Sequence, residues 1–156
     1  MKLSANRKGP TDAEKAECVD RWLEDVSQAS RRWKSAKAAQ EASERVVAYL
    51  EEIRSYVHGA PPDLEERMNE AIERNRENAA KLAEAAIAQS ELESGFYDVL
   101  SRVEPAEVAE AWRMRCMAGK TWMQCAWSLH YNRQHLERLS KRAKVSAYDL
   151  IPEVYR

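Results

Sequence analysis

The stretch AGKTWMQCAWSLHYNRQHLERLSKRA, residues 118–143, decides how the last third of this chain folds. Earlier residues form long runs of Ala, Glu, Arg and Lys, whereas this stretch has two short apolar-spaced segments around a break. Thr121 followed three residues later by Gln124 matches a capping box, in which each residue satisfies a backbone N–H of the other. We therefore expect a short helix over residues 122–129.

The break after this helix is HYN, residues 130–132. Asn132 is a good N-cap for a second helix over residues 133–144. A small residue, Ala126, stands in the middle of the first helix, where two helices that pack closely need one. Two short helices joined by a three-residue turn predict a helix-turn-helix.

The second of these helices is basic, and its apolar positions Leu136, Leu139 and Ala143 predict an inward face. The residue types left on the outward face suit the major groove of DNA. Gln pairs in two places with adenine, Arg does so with guanine, and basic residues farther along contact phosphates. The outward residues are Arg133, Gln134, His135, Arg138, Lys141 and Arg142.

A third helix precedes this pair. Pro105 suits the first position of a helix, which we expect to run to about Met117 and to end at Gly119. Trp112 and Cys116 fall on its inward face, so core packing is their expected role. The last residues, VSAYDLIPEVYR, are partly apolar and are expected to fold back onto the body of the domain.

The first two thirds of the chain predict two long helices. After a flexible tail (residues 1–11), residues 12–58 contain neither Gly nor Pro, and Thr11 begins a second capping box. HGAPPD supplies a turn at residues 58–63, and the next helix is expected to end at Gly95. The prediction is an all-α protein: an antiparallel coiled-coil-like hairpin at 12–94 and a three-helix helix-turn-helix domain at 95–156.

The apolar positions of the hairpin follow an imperfect seven-residue repeat, interrupted at Gln40 and Ser43. A single helix of about 47 residues would be about 70 Å long, which suits a hairpin or an oligomer rather than a small monomer. We expect a homo-oligomer through residues 12–94. Asn75 and Asn78 lie on or beside the second helix's stripe, and we expect both to be exposed.

The charge distribution and the sequence motifs limit the classes of protein to which this chain can belong. The net charge is −1, but residues 1–100 carry 15 basic and 20 acidic residues whereas residues 101–156 carry 10 and 6. This asymmetry indicates either an acidic scaffold with a basic contact surface or an ordinary solvated helix face. No phosphate-binding Gly loop, nucleophile elbow or His-Glu-x-x-His motif is present, so neither an enzyme nor a cofactor is expected.

Metal, membrane and compartment expectations follow from the same sequence. Cys18, Cys116 and Cys125 lack the close spacing of a zinc site, and reduced thiols are expected. No metal is therefore predicted. There is no signal peptide and no apolar run of about 20 residues, so we expect a cytoplasmic protein without membrane contact.

Residues 100–143 resemble a family of small phage and prophage transcriptional regulators. These end in a helix-turn-helix similar to region 4 of bacterial sigma factors. The residues that carry the resemblance are Leu100, Val103, Arg115, Gly119, Lys120, Trp122, Cys125, Ala126, Tyr131 and Arg138. The sequence departs at Cys116, where Tyr is usual, at Cys125 for Ile or Val, and at Asn132 for Ser, each keeping size or capping role.

The resemblance implies a sequence-specific regulator that binds double-stranded DNA, with RNA polymerase as a further partner, in the host cytoplasm if phage-encoded. It assigns base contacts to Arg133, Gln134, His135 and Arg138, and phosphate contacts to Lys120, Thr121, Lys141 and Arg142. Two alternatives stay open. A small-terminase-like protein that recognises packaging DNA would form rings of many subunits, and a coiled-coil adaptor would show no salt-dependent DNA binding.

Overall fold

The structure is a computed structural model and describes residues 8–56 and 62–156. These residues form five α-helices and one short 3₁₀ helix, and no strand occurs among them. The elements are α1 (Asp12–Tyr56), α2 (Leu64–Leu100), α3 (Ala106–Ala118), α4 (Trp122–Leu129), α5 (Arg133–Ala147) and the 3₁₀ helix Glu153–Tyr155. The predicted fold class is confirmed: α1 and α2 are a long antiparallel pair, and three shorter helices follow.

The predicted tail at residues 1–11 and turn at 58–63 lie largely outside the described residues. The start of α1 is as expected, because the Thr11 backbone N–H donates to Glu14 Oε2 at 2.8 Å. In return, the Glu14 N–H donates to Thr11 Oγ1 at 3.2 Å. This capping box satisfies two amides that have no partner inside the helix.

The chain divides into two compact units. One contains residues 29–92, which are the C-terminal part of α1 and most of α2. The other contains, among the described residues, 8–28 and 93–156, so the start of α1 and the end of α2 belong with α3–α5.

In the unit formed by residues 29–92, polar side chains lie in the helix–helix seam. Ser43 Oγ is 2.9 Å from Asn75 Oδ1, and Asn78 Nδ2 donates to the Ala39 carbonyl at 3.4 Å. The expectation that Asn75 and Asn78 are exposed is therefore wrong, since both are half-buried and hydrogen-bonded across the seam. Such polar pairs in an apolar seam fix the register of the two helices.

The second helix does not end at Gly95 as predicted but continues to Leu100. Glycine in a helix costs about 1 kcal/mol relative to alanine. Packing of the following turn offsets that cost, because Phe96 and Val99 are buried. The Phe96 ring lies 5.8 Å from the Trp22 ring, centroid to centroid. Tertiary burial thus overrides the local stop signal.

The three short helices follow their predicted boundaries closely. Pro105 is the residue before α3, and Gly119 ends this helix in the left-handed conformation with φ of 65°. α4 has the predicted bounds, and α5 extends three residues farther than expected. The C-terminal segment folds back as predicted, because Ile151 is buried and the Tyr155 hydroxyl donates to Asp25 Oδ2 at 2.7 Å.

No helix in the described part of the chain is both long enough and apolar enough to cross a membrane. Free thiols are found at all three cysteines. Cys116 and Cys125 are buried, which confirms the core position predicted for Cys116, and Cys18 is half-buried. Burial raises the pKa of the Cys125 thiol above its ordinary value. Across residues 8–56 and 62–156, no three His, Cys, Asp or Glu side chains come together as a group able to hold a metal ion.

Candidate nucleic-acid interface

The candidate interface is built on α4 and α5, and the start of α4 is fixed by the predicted capping box. The Thr121 N–H donates to Gln124 Oε1 at 2.9 Å, and the Gln124 N–H donates to Thr121 Oγ1 at 3.2 Å. The Thr121 side chain is exposed, and its hydroxyl proton stays available for a phosphate. Lys120, immediately before it, is half-buried.

The turn between α4 and α5 is held by backbone and side-chain hydrogen bonds. His130 adopts the left-handed conformation with φ of 57°, which suits a turn residue. The Tyr131 N–H then donates to the Ala126 carbonyl at 2.9 Å. Asn132 Oδ1 accepts from the N–H groups of Gln134 and His135 at 2.9 and 3.4 Å. These bonds set the angle at which α5 leaves α4.

Core contacts hold α5 against α3 and α4. The indole N–H of Trp112 on α3 donates to Ser140 Oγ on α5 at 2.8 Å, and both side chains are buried. Leu136 is also buried, as are Cys125 and Ala126 on α4. Since a buried indole N–H without an acceptor is costly, this bond ties α5 to one rotational setting. The outward residues of α5 are therefore presented on a fixed surface.

The four predicted base-contact residues, Arg133, Gln134, His135 and Arg138, are all exposed. Arg133 Nε lies 3.4 Å from Glu137 Oε1, so a base would compete with an existing ion pair. The His135 ring stacks on Tyr131, with 5.9 Å between centroids and 7° between planes. Gln134 and Arg138 have neither an ion pair nor a ring contact with any residue that the structure describes.

A groove of about 550 Å³ runs along one side of α5. It brings together two predicted base-contact residues and one predicted phosphate-contact residue. Its lining is Trp122, Gln134, Glu137, Arg138, Ser140, Lys141 and Lys144. Arg133, His135, Arg142, Lys120 and Thr121 are not among the lining residues, so the predicted set is divided between this groove and its surroundings.

The apolar spacing of α4 predicts Trp122 on one inward face with Cys125, Ala126 and Leu129, but Trp122 is only half-buried and forms one wall of the groove. The Arg115 guanidinium lies over its ring at 4.6 Å from the centroid. Arg115 Nη1 also donates to the Lys120 carbonyl at 3.4 Å. The cation over the ring and the bond to the backbone together hold the start of α4 in place.

Four of the groove residues were not predicted as site residues, and two of these four, Lys144 and Glu137, are charged. Lys144 follows Lys141 by three positions and therefore shares its helix face, which is the signal that was available. Its ammonium group lies 2.7 Å from Asp20 Oδ1 on α1. Glu137, the other, is the acidic residue among the cations. Its spacing of four residues from Arg133 is the sequence signal for the ion pair that the structure shows.

The ion pair of Glu110 and Arg113 on α3 is a structural pair of this unit. Arg113 Nε donates to Glu110 Oε2 at 3.0 Å. This hydrogen bond lowers the pKa of Glu110 and raises the pKa of Arg113 from their ordinary values. Both shifts favour the charged form, so both groups stay charged at neutral pH, whereas a general acid or base needs a pKa close to the working pH.

Comparisons with protein-family models, with curated proteins and with solved structures found no match to this chain. The functional assignment therefore rests on the geometry of α3–α5 alone.

Proposed function

We propose that this protein binds double-stranded DNA sequence-specifically and regulates transcription, with α5 as the recognition helix in the major groove. The observation that supports this most directly is the exposed basic face of α5 on a helix-turn-helix whose turn is capped at both ends. A recognition helix contacts base edges through its N-terminal residues. Gln134 and Arg138 lie in the N-terminal half of α5, and neither forms an ion pair or ring contact with the described residues.

The residue types along α5 distinguish positions suited to base contacts from positions suited to phosphate contacts. Gln134 suits adenine and Arg138 suits guanine, each through two hydrogen bonds. Lys141 and Arg142, one turn farther, suit phosphates, and Thr121 with Lys120 suits a phosphate at the start of α4. Arg133 and His135 complete the base-facing set. Such a regulator would act in the cytoplasm, that of the host cell if the protein is phage-encoded, where RNA polymerase would be a further partner.

The first test is selection from a randomised duplex library at about 50 mM and about 200 mM salt, since phosphate-only binding falls steeply across that range. A shared sequence motif retained at the higher salt is the expected result. Retention only at low salt, without a motif, would contradict base reading by α5. No retention at either salt would favour the adaptor alternative.

The second test separates base contacts from phosphate contacts. Arg138→Ala is expected to weaken binding to the selected sequence by about 1–3 kcal/mol and to relax specificity at one position. Lys141→Ala is expected to weaken selected and random duplexes alike and to reduce the salt dependence by about one phosphate. Arg74→Ala, an exposed arginine on α2, is the control and should change neither.

A packaging-recognition role remains the second candidate, because the long α1/α2 pair exceeds what a helix-turn-helix needs for support. Stoichiometry distinguishes the two. Closed rings of many subunits on sedimentation would favour packaging recognition, and a dimer would favour the regulator.

A further inference from the structure

A stripe of apolar side chains runs along α1 outside its seam with α2. Val46, Tyr49 and Tyr56 are exposed by 48%, 63% and 78%, and Ile53 between them is half-buried. Their spacing of three, four and three residues places them on one helix face. We name these four residues the α1 stripe. It has the spacing of a coiled-coil seam, and three of its four side chains are exposed.

Toward its N-terminal side the α1 stripe continues with small residues. Ala42 and Ala39 are both exposed and follow the same three-and-four spacing. A groove of about 310 Å³ begins at Ala39, within the unit of residues 29–92. It is lined by Arg32, Ser35, Ala36, Ala39, Asn78 and Lys81. One end of the face thus carries bulky residues and the other end carries alanines and a groove.

We propose that the α1 stripe is a homodimer interface, in which it packs antiparallel against the same stripe of a second copy. A two-fold axis between Val46 and Tyr49 places each of these residues opposite the other in the second copy. The same register places Ala42 opposite Ile53, and Ala39 opposite Tyr56. The tyrosine at the end of one stripe then lies at the groove of the other copy.

Size complementarity favours this register over a parallel one. Every layer of the antiparallel arrangement pairs a larger side chain with a smaller one, which fills space without overlap. In a parallel, in-register pair, Tyr49 would meet Tyr49 and Tyr56 would meet Tyr56, whereas Ala42 would face Ala42. That arrangement crowds one end and leaves a void at the other.

Charge complementarity also favours the antiparallel arrangement. Arg45 and Glu52 flank the α1 stripe on one side, seven residues apart. In an antiparallel pair these flanking positions face the same positions of the other copy, so Arg45 of each copy lies near Glu52 of the other. Among the described residues, neither side chain has an ion pair or side-chain hydrogen bond of its own. In the dimer, Glu52 of each copy supplies an oppositely charged partner for Arg45 of the other copy, so two such pairs form.

The face is long enough for a specific contact. From Ala39 to Tyr56 it spans 18 residues, about 27 Å at 1.5 Å per residue. A two-fold interface of this kind uses the same surface on both copies, so it closes at two subunits. The inference concerns assembly and does not depend on whether α5 binds DNA.

Charge exchange in the full-length protein tests both the face and its direction. Sedimentation velocity is expected to show a dimer for the wild type. Arg45→Glu alone and Glu52→Arg alone should each weaken the dimer at least about tenfold, because each places like charges together. An equimolar mixture of these two variants should recover a heterodimer, since each then meets its opposite charge. The doubly exchanged protein should recover the homodimer.

Two further variants serve as test and control. Tyr56→Ala should raise the dimer Kd at least about tenfold, because an aromatic anchor leaves the groove. Glu84→Arg changes the same charge as Glu52→Arg on the exposed surface of α2 and should leave the dimer unchanged. Helix content by circular dichroism verifies that each variant is folded.

Three results would overturn the proposal. One is a wild type that stays monomeric at about 100 µM, a concentration at which even weak specific dimers form. Another is a dimer that Arg45→Glu leaves intact. The third is a mixture of the two single variants that contains monomers only, which would exclude the antiparallel register.

Discussion

Ser140→Ala is expected to destabilise the unit that contains α3–α5. Ser140 and Trp112 are each only 1% exposed, and the indole Nε1 lies 2.8 Å from Ser140 Oγ. Removing the oxygen leaves a buried N–H without an acceptor, which costs about 1–3 kcal/mol. For a chain of this size, about 2–4 °C of Tm is lost per kcal/mol, so Tm should fall by between about 2 and 12 °C.

Urea unfolding followed by circular dichroism measures this effect as a lower midpoint at unchanged slope. Ser146→Ala is the matched control, because Ser146 lies on the same helix, is exposed and donates to the Arg142 carbonyl at 3.4 Å. A surface change of that kind is expected within about 0.5 kcal/mol. Equal effects of the two substitutions would refute the reasoning.

A double-mutant cycle tests whether the destabilisation comes from loss of the hydrogen bond between Trp112 and Ser140. Trp112→Phe removes the donor as well as some apolar surface, so it is destabilising by itself. Once the donor is absent, Ser140→Ala has no N–H to leave unpaired, and its further cost should fall below about 0.5 kcal/mol. Strict additivity would mean that the hydrogen bond contributes nothing measurable.

The other predictions concern the cap, the base contact and the C-terminal anchor. Asn132→Ala should cost about 0.5–2 kcal/mol in urea unfolding, because two amides of α5 lose their acceptor, and exposed Asn69→Ala should cost less. Arg138→Ala should reduce binding to the selected duplex more than to random duplex, and equal losses would indicate a phosphate contact. Burial and the hydrogen bond to Asp25 raise the pKa of Tyr155 to about 12, above an unfolded value of about 10. The neutral phenol is thus favoured by folding, so its contribution is complete below about pH 10 and is lost as pH rises toward 12. The stability difference between wild type and Tyr155→Phe should shrink over that range, and a constant difference would contradict the assignment.

Local features of the site were predictable because local chemistry produces them. The capping box of Thr121 and Gln124, the cap at Asn132 and the left-handed Gly119 each satisfy backbone groups within a few residues. Such interactions need no distant partner, and the predicted bounds of α4 are those of the structure. The exposure of the outward α5 residues followed from helical spacing for the same reason.

Features that need two distant segments were missed. The groove beside α5 depends on where Trp122 of α4 lies relative to α5, and the repeat pattern alone placed this residue inward. The pairing of Lys144 with Asp20 joins positions far apart in the chain. Neither arrangement leaves a periodic signal, since each depends on how separate helices pack.

What the sequence by itself determined is the set of helices, the caps of α1, α4 and α5, and the basic outward face of α5. Tertiary structure alone decided that α2 runs through Gly95, because burial of Phe96 and Val99 outweighs the glycine penalty. It also decided that Asn75 and Asn78 lie in the seam, where α1 supplies a hydrogen-bond partner for each of the two side chains. Packing energy depends on surfaces formed by residues that are far apart in the sequence. The hydrogen bonds of a helix cap, in contrast, involve residues within a single turn.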